Sequence, residues 1–240
     1  MAFYNLIKSY KRKTMCASSI YDIDFKQLYK KHKAQAGRPK SLPQKWDQKA
    51  AALSVGNLET PYTTALLNAL DLQPSDTLLD VGCGSGAVAV LAAARVQQVY
   101  ALDFSQGMLD KLLQNAHHYG AHNILTLCKD WDEKWTEVPR CDVVVASRST
   151  LVEDMGQALE KLEAQAKRHV YLTYPAMVAF GASKDVDAQE QPQLATPSYL
   201  YILAILHQMG RRAQLRFISN DSTALVSTQK ADWALIDWAL

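Results

Sequence analysis

The stretch LLDVGCGSGAVAV (residues 78–90) decides how this chain is read. With Thr77 before it, TLLDVGC (77–83) is a short, nearly continuous apolar run. Such a run fits a strand buried on both faces of a parallel sheet. AVAVLAAARV (87–96) then reads as a helix of small residues packed closely on that sheet. The joint between them holds Gly82, Gly84 and Gly86, just behind Asp80. Glycine is needed where the backbone turns sharply and where a ligand must approach the main chain. The joint also falls at the carboxyl end of a central strand, where open α/β sheets bind ligands. A turn that only joined strand to helix would not need three alternating glycines behind an acid.

Working outward, the same alternation repeats. QVYALD (98–103) is the next strand. Ser105 is a good N-cap for a helix with Met108, Leu109, Leu112, Leu113 and Ala116 on one face, stopped at Gly120. ILTLCKD (124–130), CDVVVAS (141–147) and HVYLTY (169–174) are further strands, with a helix carrying Met155, Leu159, Leu162 and Ala166 inward before the last of them. AQLRFIS (213–219) is a sixth strand. Strand and helix alternating five times with short joints predict an open, mostly parallel α/β sheet with right-handed crossovers. Upstream, helices are predicted from Asp22 to Ala36, from Leu42-Pro43 through Trp46 and Ala52, and from Thr60-Pro61 through Leu70. Residues 1–20 read as weakly ordered, with Met15 a second candidate start, and 181–197 as a polar loop. SYLYILAILHQMG (198–210) is a helix apolar almost all round. The tail TQKADWALIDWAL reads as more helix-like than strand-like and shows no clear seventh strand, leaving open a truncated, helical or partner-exchanged carboxyl end. The expected organisation is a basic N-terminal helical cap, 1–55, and a ligand-binding domain, 56–240, with 176–210 as an insert.

Composition narrows the class. The chain has 240 residues, 48% apolar and 21% charged, a globular profile. No apolar run approaches the ~20 residues that cross a bilayer. MAFYNLIKSYKRK lacks the apolar centre of a secretory leader, and the four cysteines (Cys16, Cys83, Cys128, Cys141) form no CxxC pair. A cytoplasmic protein with reduced thiols is expected. The net charge of +2 hides an asymmetry: residues 1–50 carry 12 Lys/Arg against 3 Asp/Glu, the remainder 14 against 21. A basic segment on an acidic body either meets an anionic partner such as RNA or docks on that body. Ile23, Leu28 and Tyr29 interrupt Lys26, Lys30, Lys31 and Lys33 at helical spacing, which favours docking.

Two cofactors compete for the glycine loop. Gly82-x-Gly84-x-x-Ala87 formally fits a dinucleotide fingerprint. Asp80-x-Gly82-x-Gly84-x-Gly86 resembles motif I of the class I S-adenosylmethionine-dependent methyltransferases. VYALDFSQGML (99–109), LCKDW (127–131) and VVVASRS (143–149) resemble that family's next motifs, in family order and spacing, over residues 55–175. The resemblance implies a Rossmann-like fold, S-adenosylmethionine as cofactor and S-adenosylhomocysteine as product. Asp103, 17 residues past Gly86, suits the ribose hydroxyls as a charge-assisted acceptor. Asp80 would repel a pyrophosphate but attract the methionine ammonium, which favours the sulfonium cofactor. Met108 suits the adenine face, with Phe104 beside it; Asp130 suits the adenine amino group, and Trp131 can cover the ring. Cys83 reads as a small filler within the loop, and Ser147 is placed with the cofactor on the fourth-strand motif. By resemblance, the helix opening at Thr60 offers a hydroxyl to the cofactor carboxylate, with Tyr62 and Thr60 as candidates.

Methyl transfer is an in-line displacement that needs alignment and water exclusion more than a fixed catalytic side chain, so no catalytic residue is assigned. The fourth strand ends Ala146-Ser147-Arg148-Ser149, without the (N/D)PP(Y/F) motif of enzymes that methylate base amines and without hard-cation ligands. The Pro-Cys pair of C5-pyrimidine methylation is missing too. Glu153 and Asp154 read as a helix-start pair, and Arg148 either binds an anionic acceptor or pairs with a surface acid. His117, His118 and His122 cluster at the wrong end of their helix and form no metal set; His32 and His207 lie in segments that can cover the pocket. The expected acceptor is a small molecule handled by a monomer or homodimer. An RNA or protein acceptor, a nicotinamide-dependent oxidoreductase and a catalytically silent cofactor-binding module are the alternatives.

Overall fold

A computed structural model describes residues 19–37, 40, 42–176 and 197–240. The N-terminal helices are α1 (Phe25–Gln35), α2 (Pro43–Ala52) and α3 (Pro61–Ala69). The alternating part follows as β1 (Thr77–Val81), α4 (Ala87–Ala92), β2 (Gln98–Asp103), α5 (Gln106–Tyr119), β3 (Ile124–Cys128), β4 (Cys141–Ala146), α6 (Met155–Gln165) and β5 (Ala166–Pro175). The chain ends with α7 (Leu200–Gln208), β6 (Gln214–Ile218) and β7 (Trp233–Ala239). Sequence expectations on 1–18 and most of the polar loop 181–197 lie outside the described residues.

The sheet order is β3-β2-β1-β4-β5-β7-β6. The first five strands are parallel, and β7 runs antiparallel between β5 and β6. Because side chains alternate across a strand, the sheet feeds two cores. Leu78, Val99, Val143 and Val145 pack beneath α3, α4 and α5. Leu79, Val81, Val144, Ala146 and Leu172 face α6 and α7, with Tyr29 of α1. Burial on both faces explains why β1 and β4 carry unbroken apolar runs.

The expectation of a helical tail is corrected. β7 pairs with β5 from His169↔Ala239 to Pro175↔Trp233, so a seventh strand exists. Trp233 and Leu235 enter one core while Ile236 and Trp238 enter the other. A strand apolar on both faces cannot be told from a buried helix by periodicity. Ala166, expected on the inward face of α6, instead opens β5. The functional consequence is placement: the parallel register brings Asp80, Asp103 and Ala146 to one edge of the sheet, and the antiparallel β7 returns Trp233 to it.

Candidate active site

The glycine turn is built for three separate reasons. Gly82, Gly84 and Gly86 all have left-handed backbone, with φ of 69°, 52° and 92°. The Gly82 and Cys83 N–H groups donate to the Leu102 carbonyl at 2.7 and 3.0 Å, tying the turn to β2. A Cβ on Gly82 would stand 2.3 Å from Ser149 Cβ, and one on Gly86 would stand 2.7 Å from Leu112 Cγ. The outer glycines therefore serve close packing. A Cβ on Gly84 would meet nothing within 4 Å among the described residues, so the middle glycine presents bare backbone to open space.

Two acids flank this backbone. Asp80 is buried, and its Oδ2 accepts from the Ala89 N–H at 3.0 Å. Its Oδ1 is also buried and finds no hydrogen-bond partner among the described residues. Burial, opposed only partly by the Ala89 N–H, pushes the carboxyl up to about 7. A buried acceptor without a donor is costly, and a cation beside it would relieve that cost. Asp103 is 5% exposed; Oδ2 accepts from the Gly84 N–H and Oδ1 from the Ser105 N–H, both at 2.9 Å. A carboxylate has about four acceptor positions, so each oxygen keeps capacity for a ligand hydroxyl. Burial raises the Asp103 carboxyl while its backbone donors hold it down. An orphaned carboxylate oxygen, a ribose-competent acid and an open glycine fit a cofactor that combines a cation with a ribose.

The ends of β4 and β5 form a second cluster. Tyr62 Oη lies 2.8 Å from both Ser147 Oγ and Thr173 Oγ1. The Arg148 N–H donates to Thr173 Oγ1 at 2.9 Å, and Ser149 Oγ donates to the Val81 carbonyl at 2.7 Å. Arg148 itself has a φ of 55°, a left-handed conformation that costs a side-chain-bearing residue about 1–2 kcal/mol. Its guanidinium lies 4.4 Å from the Tyr62 ring centroid and 5.9 Å from that of Trp233.

The remaining expected residues divide. Met108 is buried in the first turn of α5, its N–H on Ser105 Oγ at 3.1 Å, with half-buried Phe104 just before that turn. Asp130 stands past β3, but its Oδ2 accepts from Lys40 Nζ at 2.8 Å. Trp131 packs on Trp135, ring centroids 5.2 Å apart. Cys83 is buried and its thiol is pushed well up by burial, in keeping with a filler. Thr60 caps α3, accepting from the Thr63 N–H, and only Tyr62 of the two candidates reaches the β4 end. His32 Nδ1 lies 3.1 Å from Tyr201 Oη, and the His207 ring lies 6.0 Å from the Tyr21 ring, tilted to it. Among the described residues no cluster of three or more metal-ligating side chains occurs. Sequence reasoning missed Asp47, Thr173 and Trp233. Asp47 Oδ1 accepts from Ser105 Oγ at 2.6 Å and from the Gly107 N–H at 3.0 Å, fastening α2 over the start of α5. No motif marks any of the three.

Comparison with known proteins settles the family. A model described as a methyltransferase domain matches residues 78–170. An uncharacterized protein of Haemophilus influenzae is 40% identical over 206 residues, covering 85% of this chain and 77% of its own. The chain belongs to the class I S-adenosylmethionine-dependent methyltransferases. Solved structures agree with the fold of this methyltransferase. A SAM-dependent methyltransferase from Aquifex aeolicus aligns with a TM-score of 0.57 at 18% identity, covering 83% of this chain and 98% of that one. Magnesium protoporphyrin IX methyltransferase from Synechocystis, solved with bound SAM, aligns with a TM-score of 0.52 at 16% identity, covering 90% and 97%. The cofactor of the methyltransferase is S-adenosylmethionine. No helix among the described residues is long and apolar enough to cross a membrane.

Proposed function

We propose that this methyltransferase acts on a small molecule in the cytoplasm, as a monomer or homodimer. When bound, S-adenosylmethionine supplies a methyl carbon made electrophilic by its positive sulfur. Asp80 faces the methionine ammonium and becomes ionised against it. Asp103 holds the ribose hydroxyls, and the bare backbone around Gly84, with Cys83 beside it, lets the cofactor lie in contact. Phe104 and Met108 pack against the adenine, with Asp130 and Trp131 at its outer end, where Asp130 divides its charge between Lys40 and the adenine amino group. Tyr62 and Ser147 orient the methionine end. The described residues of 20–65 and 197–210 build the acceptor side.

The observation that carries the reading is the orphaned, buried Oδ1 of Asp80 beside an open glycine turn. A small acceptor is favoured over RNA because four basic residues of the N-terminal segment are spent internally. Lys26, Lys30, Lys33 and Lys40 pair with Glu160, Asp154, Glu153 and Asp130. The test is transfer of a labelled methyl group from S-adenosylmethionine in a cell extract split by size. Label in the low-molecular-weight fraction is expected; label confined to RNA or protein refutes the small-molecule reading.

A further inference from the structure

Arg148 occupies a position that packing alone does not explain. Left-handed backbone at a residue with a long side chain persists only where its surroundings over-determine it, and such outliers gather at ligand sites. Here both neighbours are pinned. Ser147 Oγ is held by Tyr62 Oη, and Ser149 Oγ donates to Val81 O while its Cβ crowds Gly82. The kink thus fixes Arg148 rigidly relative to the cofactor turn. Its guanidinium has no carboxylate and no hydrogen-bond acceptor among the described residues, and its central carbon lies over the Tyr62 ring at 4.4 Å, with the Trp233 ring at 5.9 Å. A guanidinium held over an aromatic ring keeps N–H donors for other groups, and its N–H fork grips a carboxylate or phosphate. Trp233 opens β7, which lies beyond β5 from β4. The contact therefore runs from the β4 end toward β5 and β7, away from β1 and β2.

We infer that Arg148 anchors an anionic group, a carboxylate or a phosphate, of the methyl acceptor; the inference rests on the small-molecule reading of this same site. Tyr62 and Trp233 support the guanidinium, and the Ser147–Tyr62–Thr173 hydroxyl cluster sets its height above the sheet.

The full chain saturated with S-adenosylhomocysteine serves as the test, observed through the Arg148 Nε–Hε and Trp233 indole N–H signals by NMR. Benzoate, phenyl phosphate and neutral benzamide are titrated at constant ionic strength. At least one anion should move both signals saturably, with a midpoint near or below about 10 mM, and bind about tenfold tighter than benzamide. The better anion distinguishes a carboxylate site from a phosphate site. Arg148→Gly, which suits the left-handed backbone and so leaves the fold unstrained, should abolish the Trp233 response, and Arg148→Lys should weaken it. S-adenosylhomocysteine affinity should stay within about twofold in both variants by calorimetry, because Tyr62 keeps its hydroxyl on Ser147 and Thr173 without the guanidinium. Silence toward both anions, or an equal response to benzamide, overturns the proposal. So does an S-adenosylhomocysteine affinity about tenfold weaker in Arg148→Gly, which would give the guanidinium to the cofactor's own carboxylate. A response to anions combined with methyl transfer only into RNA or protein refutes the small-molecule reading while leaving the anion site standing.

Discussion

Replacing Asp80 by asparagine should make the cofactor-free protein more stable at neutral pH. Asp80 is buried, its Oδ1 lacks a partner among the described residues, and burial raises its carboxyl from 3.8 to about 7. A carboxyl raised in the folded state binds its proton more tightly there than in the unfolded chain. Its contribution is therefore fully present below pH 4 and is lost as pH rises through 7. At 1.36 kcal/mol per pH unit, the full swing is about 4 kcal/mol. Asparagine keeps an acceptor for the Ala89 N–H and cannot ionise, so it escapes that loss. Urea unfolding of both proteins from about pH 4 to about pH 8 isolates the term as a difference, because titrating groups not coupled to Asp80 cancel. The asparagine variant should gain on wild type steadily through this window, and S-adenosylhomocysteine should bind it more weakly despite its greater stability. A difference that stays flat with pH would refute the buried-carboxylate reasoning, and unchanged cofactor affinity would refute the ammonium contact.

The glycines should separate binding from folding. Gly84→Ala, whose Cβ meets no neighbour, should fold with about 1 kcal/mol of backbone strain yet lose most S-adenosylhomocysteine affinity in calorimetry. Gly86→Ala, whose Cβ would press Leu112 at 2.7 Å, should instead lower the melting temperature markedly. Asp103→Asn places an amide donor against the N–H of Gly84 or Ser105, which should cost roughly 1–3 kcal/mol of stability and weaken S-adenosylhomocysteine by at least about tenfold. Asp237, buried between Arg216 at 2.6 Å and His169 at 3.0 Å, lies far from the site. Asp237→Asn should destabilise by about 3 kcal/mol in urea unfolding while cofactor affinity is unchanged.

The alternating half of the fold was legible because its signals are local. An apolar run, a glycine joint and the Ser105 and Gly120 caps need no distant partner to be recognised, and α5 falls where those caps put it, Gln106–Tyr119. Asp80 and Asp103 were legible for the same reason, being fixed to strand ends by the motif. β7 was not, because its residues alternate between two apolar cores and its one acid, Asp237, is neutralised by Arg216 and hydrogen-bonded to His169 on neighbouring strands. Without β7 in place, Trp233 had no position, and the stack over Tyr62 was invisible. Asp47 was illegible in another way: its contact with Ser105 joins residues 58 apart in sequence through helix docking. Asp130 kept its predicted location, but its pairing with Lys40 depends on how the N-terminal segment crosses the exit of β3.

The charge asymmetry resolves into a division of labour. Lys26 and Lys30 pair with Glu160 and Asp154 through side chains that remain substantially exposed, and such pairs are worth about 0–1 kcal/mol each. They cannot by themselves hold α1 against the body. Tyr29 can: it is wholly buried, its hydroxyl donates to the Val152 carbonyl at 2.9 Å, and burying an aromatic of this size contributes roughly 1.5–3 kcal/mol. The apolar anchor thus fixes the helix, while the lysines select its orientation on acids just before and along α6. Among the described residues, Lys26, Lys30, Lys33 and Lys40 thus meet acids of the body rather than forming an open basic face. Arg148 is the instructive contrast. It belongs to the acidic part of the chain, yet it keeps no carboxylate among the described residues, and it stands beside the cofactor turn. A partner's charge is better read from which cations the fold leaves unneutralised than from where the sequence concentrates them.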